Sequence, residues 1–288
     1  MLHKKLTLVT TLLLFSCVTQ ASALSVEELR IEKAIKTIPE VFTTFNSNLS
    51  DFEKSWQATT SYQDAKTMIT NQSQRLWLDA TKQLQSANKL DDRPLYWARL
   101  NASKIMRSLE PAFSVSAEER QVLIELFEQG SRGRTDLEYT KKTNKKILLT
   151  GFDPFLLDRN INQSNPSGIA ALLLDGMVIT HNGVTAEINT VMIPVRYKDF
   201  DDGIIESLLA PYYALNNVDM VVTVSMGRKE FDLERFPGKR RSVTAPDNLN
   251  VLSGGTRDKP IISKLHNREL PGEEFVEFSL PIEQMQKA

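Results

Sequence analysis

Cysteine is almost absent from this chain: Cys17 is the single one in 288 residues. Histidine is scarce as well, with three scattered residues, His3, His181 and His266. That leaves no basis for a Cys/His metal site and none for a disulfide framework. Neither sign of charge is in excess: 35 Lys and Arg face 36 Asp and Glu, for a net charge of −1. A basic footprint for nucleic acid or an anionic membrane surface is therefore missing. G-x-S-x-G, H-E-x-x-H and phosphate-loop patterns do not occur, and Ser253 ahead of Gly254-Gly255 reads as a flexible loop rather than a nucleophile. No cofactor is implied. What is present is ordinary globular material, 41% hydrophobic and 25% charged, enough for one large or two medium domains.

The first residues read as a secretory leader. His3-Lys4-Lys5 is a short basic region, Leu6 to Phe15 is an apolar run, and Ala21-Ser22-Ala23 is a small-residue cleavage site. The run is too short for a membrane-spanning helix. The expectation is an exported protein, periplasmic or secreted, with cleavage after Ala23. Cys17 also lies near a lipoprotein-type site, but the Ala21-Ser22-Ala23 site is better formed. Cleavage there would leave the mature chain without cysteine, hence without a thiol nucleophile.

Residues 24–129 read as an all-helical domain of about five helices. Ser25 and Glu28, and again Ser116 and Glu119, have the spacing of capping boxes. Leu29, Ile31, Ala34, Ile35 and Ile38 recur with helical period, and Pro39 ends that run. Phe42, Phe45, Leu49, Phe52 and Trp56 form one apolar stripe, best read as core. Asp92 with Pro94 opens another helix, and Gly130 sits at a C-cap. Gly130 to Lys146 is basic and polar and reads as an exposed linker, so the division is leader 1–23, helical domain 24–129, linker 130–146 and a second domain 147–288.

From Ile147 the period changes. Ile147-Leu148-Leu149-Thr150 is a buried-strand pattern closed by Gly151-Phe152-Asp153-Pro154-Phe155. Pro166 to Leu174 reads as a helix, Ala186 to Ile193 as a strand, Asp199 to Leu209 as a helix and Val218 to Val224 as a strand. Alternating strands and helices imply an α/β domain of three layers, with a mainly parallel or mixed sheet. In such sheets ligands bind past the strands' C-terminal ends. Phe152 and Phe155 stand there, either gripping a ligand or packing the core beneath the loop.

The Lys146-to-Phe155 string, Asn165-Pro166-Ser167, Glu234-Arg235 and Pro246-Asp247-Asn248 resemble motifs of pyroglutamyl-peptidase I, a thiol protease that removes N-terminal pyroglutamate from peptides. The resemblance covers about residues 145–288. It implies that Phe152 and Phe155 hold the flat lactam ring of a small pyroglutamyl substrate, with Asn165 beside it, and that Glu234 is the acidic catalytic residue. The chain departs from the family pattern at Ser225-Met226-Gly227-Arg228, a shortened glycine loop, and at Thr244. The family's Cys and His would lie further on than Ala288, and His266 does not stand at the family position. The resemblance thus implies an apparently truncated, inactive hydrolase. The alternative is a non-enzymatic exported binding or interaction protein.

Overall fold

The computed structural model describes residues 23–135, 137–215, 217–227 and 231–287. The expected leader with Cys17, and Arg228 of the shortened glycine loop, lie outside the described residues. The expected order holds: a helical region precedes a mixed sheet flanked by helices.

The helical region begins with three short segments, α1 (Val26–Leu29), α2 (Ile31–Thr37) and α3 (Pro39–Thr43). Both halves of the Ser25/Glu28 capping box form. Because the helix breaks at Arg30, the expected stripe shifts. Ile31, Ala34 and Ile38 of that stripe are buried, joined by Val41, while Leu29 and Ile35 are exposed. Longer helices follow: α4 (Asn46–Ala58), α5 (Tyr62–Ser86), α6 (Arg93–Ser108) and α7 (Ala117–Gly130). Helix α6 is the hub. Residues 93–100 are all buried, so it is covered on every side, as befits the centre of a bundle.

The sheet consists of β1 (Lys145–Phe152), β2 (Val178–His181), β3 (Val184–Ile193) and β4 (Met220–Thr223) in the order β2-β3-β1-β4. Strand β1 runs parallel to β3 and to β4, while β2 pairs antiparallel with β3. The β2–β3 turn is Asn182-Gly183, both at positive φ (49° and 79°). Asn-Gly favours this hairpin geometry, a signal that announced a strand the periodicity did not resolve. Helix α8 (Pro166–Leu174) covers one face. On the other lie α9 (Tyr197–Asp201) and α10 (Ile204–Leu215). Beyond β4 the described residues form small ribbons, β5 (Arg240–Arg241) with β6 (Ile261–Ile262) and β7 (Lys264–Leu265) with β8 (Arg268–Glu269), then α11 (Ile282–Met285).

Leu148 and Leu149 are neighbours on β1 and both are buried. Strand alternation sends them to opposite faces, so the sheet is covered on both sides, as a parallel sheet requires. Leu149, Ala171, Leu172, Ile188 and Met192 merge with Trp56, Trp77, Leu95 and Phe127 of the helical region in one continuous core. Leu148, Val191, Ile193 and Leu208 form the core on the α10 side.

The segment after α7 does not behave as a fully exposed linker. Ser131, Arg132 and Gly133 are buried, and the Met192 amide donates to the Arg132 carbonyl at 2.9 Å. Gly133 sits at φ 79°, and a Cβ there would lie 2.6 Å from the Trp77 ring. Both backbone and space demand glycine. Gly133→Ala is expected to cost roughly 2 kcal/mol or more, read as a lower urea midpoint with an unchanged denaturant slope.

Candidate functional site

The C-terminal end of the parallel strands is where chemistry was expected. Asp153 follows β1 directly and is fully buried. Its amide donates to the Ile193 carbonyl at 3.2 Å, which ties the exits of β1 and β3 together. Two guanidinium groups converge on its carboxylate. Arg99 of α6 reaches Oδ1 and Oδ2 at 2.9 and 3.1 Å, and Arg132 reaches Oδ2 at 2.6 Å. Both arginines are themselves buried. Burial alone would raise the Asp153 carboxyl; the charges of Arg132 and Arg99 outweigh it and hold it below its ordinary value.

A second layer continues from the exit of β3. Arg196 donates to both Glu128 oxygens at 2.8 and 2.9 Å and through Nε to Glu27 at 2.6 Å. The Tyr96 hydroxyl donates to the other Glu27 oxygen at 3.0 Å. Burial opposes ionisation of Glu128, but Arg196 and Arg132 hold its carboxyl far below the usual range. The sheet end is therefore filled by linked ion pairs, with Glu27, Arg99, Arg132 and Asp153 buried and Glu128 and Arg196 half-buried. The helical region supplies Glu27, Arg99, Glu128 and Arg132; the α/β region supplies Asp153 and Arg196.

The motif residues cluster around this network. Phe152 is half-buried and stacks on Phe200 of α9, with ring centres 6.4 Å apart. Phe155 is also half-buried, in the following loop. Asn165 is buried and caps α8: its Oδ1 accepts from the Ser167 amide, and its Nδ2 donates to the Asp153 carbonyl at 2.9 Å. Asp247 accepts from the amides of Tyr197, Leu249 and Val251. Asn248 donates from Nδ2 to the Pro154 carbonyl at 2.9 Å, and its own carbonyl accepts from Arg30 at 2.6 Å. Asn165, Asp247 and Asn248 thus clamp the strand exits. Glu234 lies elsewhere: it is exposed and joins none of these groups. Ser253 uses its hydroxyl on the Val243 carbonyl at 2.5 Å.

Asp92, expected as the cap of its own helix, makes no side-chain cap there. It turns to the start of α8 instead, accepting from Ser164 Oγ at 2.7 Å and from the Asn165 amide. Burial, only partly offset by those donors, pushes its carboxyl up to about 7.

A cavity of about 370 Å³ opens beside the filled sheet end. Tyr197, Phe200, Ile205 and Leu270 form its apolar wall, with Glu206, Arg241, Ser263 and Lys264 around them. Phe200 also stacks on Phe152, which links this cavity to the exit of β1. Arg241 pairs with Asp201 at 2.6 and 3.1 Å and lies over the Tyr197 ring. Among the described residues, no group of three or more His, Cys, Asp or Glu side chains is placed to hold a metal ion. No helix among them is long and apolar enough to cross a membrane.

The sequence reading missed Arg99, Arg132 and Arg196. Arg99 could have been suspected: it interrupts the apolar run Leu95-Tyr96-Trp97-Ala98 and Leu100, where a lone charge needs a buried partner. Nothing local marks Arg132 or Arg196.

A helical unit closing the end of an α/β sheet is the class of architecture seen here, and sequence comparison gives it a family context. Residues 9–128 match the family described as the PA0049 N-terminal domain, and residues 146–285 match that described as PA0049, C-terminal domain. The two halves of the chain are thus similar to the two domains of one family. A relative described as uncharacterized protein PA0049, from Pseudomonas aeruginosa, is 30% identical over an alignment of 236 residues that covers 74% of this chain. The match spans 42% of that relative's length. No solved structure matches the chain. These matches overturn the pyroglutamyl-peptidase resemblance: the family over residues 146–285 is a different one. The quoted motifs are short, and several of their residues serve here to fasten strand exits.

Two outcomes follow. Asp153→Ala leaves Arg99 buried without its ion-pair partner and Arg132 with only the 3.8 Å pairing to Glu128, and is expected to cost about 3–5 kcal/mol in denaturant unfolding. Asp92 holds its proton in the folded state to a higher pH than in the unfolded chain. Its contribution is therefore fully present below about pH 4 and lost as pH rises to about 7, with a total of order 4 kcal/mol. Asp92→Asn is expected to remove that part of the pH–stability profile when melting is followed from pH 4 to 8.

Proposed function

We propose that this chain is an exported, non-enzymatic binding protein that takes a small ligand in the cavity walled by Tyr197, Phe200, Ile205 and Leu270. One observation supports the reading: the end of the sheet is occupied by side chains paired with one another by charge, while a cavity of about 370 Å³ stands next to it. That volume falls at the low end of the range for small-molecule sites, roughly 300–1,000 Å³, and its apolar wall with a few polar groups is the usual composition. Export rests on the basic His3-Lys4-Lys5 region, the apolar run after it and Ala21-Ser22-Ala23.

The apolar fluorophore 1-anilinonaphthalene-8-sulfonate tests the binding claim. Saturable fluorescence at about one site per folded chain is expected, and Ile205→Trp, which fills the cavity, should abolish that component. Equal saturable binding by the variant, or none by the parent, contradicts the reading. Intact-mass analysis of the protein from a periplasmic fraction tests export: a mature chain starting after Ala23 is expected, and full-length protein confined to the cytoplasm contradicts it.

A further inference from the structure

The cavity's polar groups differ in whether they are already engaged. Arg241 carries a positive charge, but Asp201 pairs with it through two hydrogen bonds. The Tyr197 hydroxyl donates to the Ala245 carbonyl at 3.0 Å. Ser263 has only a long contact to the Lys239 carbonyl, at 3.4 Å. Two charged groups on the rim have no hydrogen-bond or ion-pair partner among the described residues: the Lys264 ammonium, on β7, and the Glu206 carboxylate, on the first turn of α10. One cation and one anion, carried by different elements, thus border a wall made of two aromatic and two aliphatic side chains.

That pattern selects by charge as well as by shape. A purely apolar ligand would leave both rim charges idle. A simple anion would meet Lys264 but also Glu206, and a simple cation the reverse. A ligand with one charge of each sign satisfies both, and an apolar group buried against Phe200, Ile205 and Leu270 supplies the hydrophobic contact. The volume sets the scale, since about 370 Å³ suits a molecule of amino-acid to dipeptide size rather than a longer chain.

Building on the binding function proposed above, we propose that the cavity binds a zwitterion with an apolar side chain: a free α-amino acid or very short peptide. Its carboxylate lies toward Lys264 and Ser263, its ammonium toward Glu206, and its side chain against Phe200.

Displacement of 1-anilinonaphthalene-8-sulfonate from the parent protein tests this with four probes of one ring type: L-phenylalanine, 3-phenylpropionate, phenethylamine and N-acetylphenylalaninamide. L-phenylalanine is expected to displace the fluorophore at about tenfold lower concentration than either singly charged analogue, from the worth of one charge-assisted hydrogen bond. The neutral amide should be weakest. Glu206→Gln and Lys264→Met alter exposed side chains, so melting temperatures should be unchanged. Each should bring L-phenylalanine to the level of the analogue lacking the matching charge. Equal displacement by all four probes, or L-phenylalanine affinity unchanged in both variants, overturns the zwitterion assignment while leaving the cavity a binding site. Loss of the saturable fluorophore signal itself would overturn the binding function instead.

Discussion

A carboxylate without access to water sits between two guanidinium groups where the helical and α/β regions meet, and the arrangement of both regions follows from that contact. Asp153 is fixed by its position after β1, and Arg99 and Arg132 must come to it from α6 and from the turn after α7. Burying such ions is costly unless every charge is matched, so the partners cannot shift far without leaving a charge stranded. Arg132 reaches Asp153 only if its segment runs inward, and that in turn presses Gly133 between Trp77 and the Thr190 carbonyl. The Arg196 layer with Glu27 and Glu128 extends the same constraint to the first helix of the chain.

The consequence for function is a displaced site. Open α/β sheets leave a crevice past the strand ends; here the helical region occupies it. Polar residues that elsewhere could face a ligand are spent on structure: Asn165 on the Asp153 carbonyl and its own helix start, Asp247 on three amides, Asn248 on Pro154 and Arg30. Space for a ligand lies instead beside Phe200, among residues of α9–α10 and the small ribbons.

Local chemistry was the legible part of the sequence. Both capping boxes, the start of α8 at Asn165-Pro166, strand β1 and the change from helical to mixed α/β pattern follow from residues within a few positions of each other. Long-range pairing was not legible. Asp92 looked like the cap of α6 because spacing cannot show that its carboxylate turns to Ser164 and Asn165 instead. The stretch after α7 looked like an exposed linker because its arginines read as solvated until Asp153 is placed beside them. The same limit explains the overturned family resemblance: a glycine–aromatic–aspartate turn after a strand says where a loop is, not what the loop faces. The cavity could not be foreseen, since Phe200, Arg241, Lys264 and Leu270 come from segments with no common pattern.

The ion pairs of Asp153 join the helical and α/β regions into one cooperative body closed over the sheet end. Native-state hydrogen exchange at two amides that bond across the junction tests this coupling: Asn165 to the Asp92 carboxylate and Met192 to the Arg132 carbonyl. They are expected to exchange only with global unfolding, as slowly as the amides within β1. Exchange at the Asn165 and Met192 amides orders of magnitude faster than within β1 would show that the helical region opens separately, which contradicts a single cooperative body.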